Sequence, residues 1–158
     1  MNKILCLIII VTFSSCRYFN VSPVDGITTK NLTEKPLSEE FIGSWKIDKY
    51  SYELIEKKEY KQKNVKLIIK NDGSFAAKNF PDFVNVFSEN KMNEYINANG
   101  TWKIGKDFKG EKWTLSLDFN KSEYFSTEFE LYRQDEKLIL WYFVGDPDSG
   151  ERLLFEKE

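Results

Sequence analysis

Trp113-Thr114-Leu115-Ser116-Leu117-Asp118-Phe119 alternates apolar and polar side chains without a break. Successive residues of a strand point to opposite faces, so this run reads as a β-strand with one buried face. Working outward, Phe125-Ser126-Thr127-Glu128-Phe129-Glu130-Leu131 repeats the pattern, and residues 138–144 are apolar throughout, which suits a strand covered on both sides. Turn chemistry separates the runs. Asn71-Asp72-Gly73 divides 65–70 from 74–78, and Gln134-Asp135-Glu136-Lys137 and Asp146-Pro147-Asp148-Ser149-Gly150 mark two further reversals. Gly, Asn and Asp supply the left-handed and side-chain-capped conformations that tight hairpins need. The predicted fold is therefore all-β, a small antiparallel up-and-down β-barrel of about eight or nine strands.

One stretch breaks the alternation. Phe80, Phe83, Val84 and Phe87 follow the spacing i, i+3, i+4, i+7, with Pro81 and Asp82 suited to a helical first turn. Polar residues with Met92, Tyr95 and Ile96 among them come next. The pattern predicts one short helical insertion near 80–96, either a plug in a barrel end or a lid over a ligand cavity. Ser38-Glu39-Glu40-Phe41 predicts a single capped turn leading into the first strand.

The amino terminus carries a different signal. Met1-Asn2-Lys3 is followed by the apolar run 4–13 and then Ser14-Ser15-Cys16. A positive end, a short apolar segment and small residues before a cut form a secretory signal, and the run is too short to span a bilayer. Ser-Ser-Cys in this place resembles a bacterial lipobox. The resemblance implies a signal peptide over 1–15 and lipidation of Cys16, so that the membrane is one partner. It further implies a place in the cell envelope, and with Arg17 rather than an acid after the cysteine, the outer membrane of a Gram-negative bacterium. Residues 16–37 read as a lipidated tether, marked by Pro23, Gly26 and Pro36 with Thr and charge between them, about twenty residues that as flexible coil would span roughly 25 Å. Residues 38–158 form the barrel domain.

Composition narrows the function. The chain has 158 residues with 23 basic and 25 acidic side chains, a net charge of −2 that argues against nucleic-acid binding. Aromatic residues make up 16%, with only 4 Pro and 8 Gly, a balance suited to a β-rich globule. The two cysteines are Cys6, in the signal, and Cys16, so the domain has no disulfide to form. Histidine is absent, which removes Ser-His-Asp and Cys-His catalysis and the usual zinc ligand sets. No enzymatic activity, cofactor or metal is expected. The acidic turn 146–151 echoes a calcium loop but lacks its ligand spacing, and the charged run 57–63 reads as an exposed hairpin end.

Two stretches match each other. Gly43-Ser44-Trp45-Lys46-Ile47-Asp48-Lys49 and Gly100-Thr101-Trp102-Lys103-Ile104-Gly105-Lys106 are identical at five of seven positions. Gly permits close backbone approach, and a Trp two residues on points to the same face, where its bulk closes a barrel end. Gly43, Trp45, Gly100 and Trp102 are thus expected to be structural, each pair opening one half of the domain. The first Gly-x-Trp, after a short turn, resembles the entry to lipocalin-like domains of small bacterial lipoproteins. That family implies an Arg packed on the entry Trp, for which Arg133 and Arg152 are the candidates. The chain departs from it in having no Thr-Asp-Tyr segment and no C-terminal helix. The resemblance implies a lipid-anchored envelope binding protein whose barrel holds a small apolar ligand or a peptide. The alternative is a protein-interaction module, such as an inhibitor, immunity protein or accessory subunit, with a filled barrel. An open apolar cavity would mark the first, and a solid interior the second.

Overall fold

The computed structural model describes residues 29–84, 93–120 and 126–158. Cys16, the signal, most of the tether, Phe87, Met92 and Phe125 lie outside the described residues. The described residues form nine strands: β1 (Lys30–Asn31), β2 (Gly43–Ile47), β3 (Lys66–Ile69), β4 (Ser74–Pro81), β5 (Tyr95–Lys106), β6 (Trp113–Phe119), β7 (Thr127–Gln134), β8 (Lys137–Phe143) and β9 (Arg152–Lys157). β2 to β9 run antiparallel in chain order, and β2 pairs with β9 to close an eight-stranded barrel. β1 lies outside it, adding Lys30 and Asn31 to β7 opposite Arg133 and Tyr132. The tether is therefore docked on the barrel from residue 30 onward.

The turns form where the sequence places them. Gly73, at φ +82°, closes the β3–β4 hairpin, and the Asp72 carboxylate accepts the Ser74 N–H at 2.9 Å. The β7–β8 turn puts two non-glycine residues, Asp135 and Glu136, at φ +48° and +62°. β8 is buried along both faces, as an all-apolar strand requires.

The helical segments differ from expectation. The longest among the described residues is α2 (Lys49–Lys57), which follows α1 (Ser38–Phe41) and β2, where the sequence pattern predicts no helix and where Lys57 alone belongs to the charged run 57–63. Asp48 caps α2, accepting the Ser51 N–H at 2.8 Å, and Ser51, Leu54 and Ile55 form its buried face. At 80–84 the helical spacing has another origin. Phe80 and Pro81 belong to β4, whose register shifts between Ala77 and Phe80 at a bulge with Asn79 at φ +52°. The extra residue returns Phe80 to the inner face three positions after Ala77 rather than two. Among the described residues of this stretch, Asp82–Val84 is helical, as one 3-10 turn.

Candidate functional site

A ligand-holding barrel needs room inside. Inward-facing Phe75, Phe80, Leu115, Leu117, Phe129 and Phe155 are all at most 1% exposed. Their rings meet one another: Phe80 and Phe129 each lie 5.5 Å from Phe155, and Tyr142 lies 5.9 Å from Phe129. These are ordinary contact distances for packed aromatic rings. One barrel end is stoppered by the 3-10 turn. The Tyr142 hydroxyl donates to the Phe83 carbonyl and Thr127 Oγ1 to the Val84 carbonyl, at 3.2 and 2.9 Å. Both donors rise from strands inside the barrel, and Phe83 and Val84 are buried. The described part of the insertion is thus packed as a plug. Burial pushes the Tyr142 phenol up to about 12, so it stays a neutral donor.

The opposite end carries the sequence-predicted residues. Trp45 is fully buried, and its indole N–H donates to the Phe41 carbonyl at the end of α1, at 2.8 Å. Phe41 in turn stacks on Trp102, ring centres 6.0 Å apart. Trp102 is only half-buried and donates to the Lys70 carbonyl at 3.0 Å. The two Gly-x-Trp copies therefore share an end of the barrel but not a role. Gly43 opens β2 at φ +135°, whereas Gly100 lies within the twelve-residue β5, not at a strand entry. A Cβ on Gly100 would fall 1.9 Å from the Asp118 carbonyl oxygen and 2.8 Å from Phe75, so only glycine fits there.

No arginine stacks on Trp45 among the described residues. The cation paired opposite it in the β2–β9 ladder is Lys157, whose ammonium donates to the Glu40 carbonyl at 3.0 Å. Arg133 instead donates to the Glu40 carboxylate at 2.5 Å, and Arg152 sits on the outer face between β8 and α2. Glu40 also accepts the Leu37 N–H at 2.9 Å, closing the α1 turn. Partial burial pushes its carboxyl up, but hydrogen bonds from Arg133 and Leu37 and the charges of Arg133 and Lys157 hold it below the ordinary value. Glu40 and Lys157 were not singled out in the sequence. An acid in the third position of a capped turn was the available signal for Glu40.

Around these groups lie two adjoining clefts. One, of about 380 Å³, has Trp45, Leu138 and Ile139 in its lining with Glu40, Arg133 and Lys157. The other, about 480 Å³, lies along 30–37 and shares Glu40, Arg133 and Glu136. Both are lined chiefly by charged and polar groups. Among the described residues no cluster of acids is arranged to hold a metal ion. No protein-family model, curated protein or solved structure matches the chain.

Proposed function

We propose that this is a lipid-anchored cell-envelope protein whose barrel serves as a protein-interaction module, without a ligand inside and without enzymatic activity. The observation that carries this reading is the filled interior, with Phe80, Phe129, Phe155 and Tyr142 in mutual contact and Phe83 and Val84 plugging one end. A barrel filled by side chains keeps its shape but offers its outside for recognition. The charged clefts around Glu40 and Arg133 supply the polar surface through which a partner chain is recognised. Their place beside the docked start of the domain sets them at the end from which the tether leaves. The lipobox resemblance at Cys16 supports the anchor, and the lipocalin-like reading is kept for the architecture alone.

Two measurements test the proposal. Titration with a fluorescent fatty acid should give no saturable signal, and saturable binding displaced by unlabelled lipid would restore the ligand-carrier reading. Cys16→Ala should move the protein from the membrane to the soluble fraction or leave it unprocessed. Unchanged fractionation and migration would remove the anchor.

A further inference from the structure

Arg152 begins β9 pointing away from the core, while its neighbour Leu153 is fully buried within it. It is nevertheless 1% exposed, with its guanidinium 4.6 Å from the Trp141 ring centre and 5.1 Å from that of Tyr50. Stacking on rings satisfies the face of a guanidinium and leaves its N–H groups in need of acceptors. Here Nε and Nη1 of Arg152 have no hydrogen-bond partner, and neither does the buried indole N–H of Trp141. The carboxylate acting on Arg152 is that of Asp48, whose Oδ1 accepts the Ser51 N–H and hydroxyl at 2.8 and 2.5 Å and which makes no hydrogen bond to the guanidinium. A buried charge with unmade hydrogen bonds is among the costliest arrangements in a fold.

We propose that Arg152, Trp141 and Tyr50 form a binding site for a carboxylate on the outer face of the barrel. The donors are one permanent cation and one neutral N–H, which together match the charge and the two oxygens of a carboxylate. The site holds a single positive group, and the negative field of Asp48 opposes a second negative charge, so a phosphate dianion is the poorer fit. The aromatic walls favour a carboxylate attached to an apolar body. Tyr50, whose half-buried ring stands in the first turn of α2, is the member of the site in contact with solvent, while Arg152 and Trp141 are buried behind it. These residues are separate from the Glu40 clefts, and the site does not depend on the function proposed for them.

The test uses the full chain in detergent, at fixed ionic strength, with N-acetylphenylalanine as the probe. Its carboxamide is the uncharged control, and inorganic phosphate is the dianion. The carboxylate should raise the melting temperature and change indole fluorescence saturably, while the carboxamide does nothing. Arg152→Met should weaken the response by about tenfold or more, the loss expected for a charge-assisted hydrogen bond. Trp141→Phe keeps the ring but removes the N–H, and should weaken it several-fold. That variant decides the matter if Arg152→Met does not fold. No saturable response, an equal response to carboxamide or phosphate, or an unchanged response in both variants would overturn the site.

Discussion

Trp45→Ala is the sharpest probe of how the barrel end is held. The side chain is 0% exposed, so truncation removes its whole buried area. A buried Trp covers roughly 150–250 Å². At ~25 cal/mol per Å² that is about 4–6 kcal/mol, in line with the ~3–5 kcal/mol usual for such truncations. The loss also strips the Phe41 carbonyl of the indole N–H that now reaches it at 2.8 Å. With a urea slope near ~2 kcal/mol per M, the midpoint should fall by about 2 M. Trp45→Phe keeps most of the bulk but orphans the same carbonyl, and should lose ~1–3 kcal/mol. Trp102→Ala is the internal control. Its ring keeps some contact with solvent, so less of the transfer term applies and the loss should be smaller than at Trp45. Urea melts of the three variants, followed by far-UV circular dichroism, give the comparison. If Trp45→Ala loses no more than Trp102→Ala, the account of a fully enclosed entry Trp braced by α1 is wrong.

Further outcomes follow from the same geometry. Gly100→Ala places a methyl group 1.9 Å from the Asp118 carbonyl oxygen, which no side-chain rotation relieves. It should cost ~3 kcal/mol or more in denaturant melts, whereas Gly105→Ala, with nothing within 4 Å, should change stability little. Glu40 has a folded-state value below its ordinary 4.5, so it stabilises the fold above pH 4.5 and loses that contribution as pH falls through the lowered value. Glu40→Gln should therefore differ most from the wild type above pH 4.5 and converge on it in acid. Urea midpoints that stay parallel from pH 6 to 3 would refute this.

The barrel was legible because its evidence is local. β6 shows its inward row as Leu115 and Leu117, and the β3–β4 reversal shows its Asp-Gly. α2 was hidden for a physical reason. One of its three core-facing positions is Ser51, a polar residue buried because its hydroxyl accepts the Leu154 N–H at 2.8 Å. Ser51 puts a polar residue at the first of these i, i+3, i+4 positions, so the apolar part of the period is only the adjacent pair Leu54 and Ile55, and the Asp48 cap is the further sign. In β4 the opposite happened, and a bulge produced helical spacing within a strand. The unequal fates of Trp45 and Trp102 were beyond local reading, because α1 covers one fully and the other in part. The candidate sites are likewise assembled from distant segments. Arg133 reaches Glu40, and Arg152 meets Trp141 and Tyr50, through barrel closure that no single stretch encodes.

The way the chain enters the barrel bears on the proposed anchor. Among the described residues, the approach segment pairs with β7 through the two-residue ladder of β1. Next, Leu32 packs on the core, and the α1 turn binds two strands at once through Glu40, whose carboxylate takes Arg133 of β7 and whose carbonyl takes Lys157 of β9. Tension on the tether would therefore unzip β1 first, since its few exposed bonds are the weakest element in line. The load would then meet the Glu40 brace before it reached β2, the five-residue strand on which barrel closure depends. That order keeps the filled barrel intact while freeing the cleft along 30–37. A partner that binds the charged end and one that competes with β1 for the edge of β7 are distinguished by the same residues. Glu40→Gln weakens the brace in both cases, whereas Asn31→Pro perturbs the two-residue strand β1 and affects only the second.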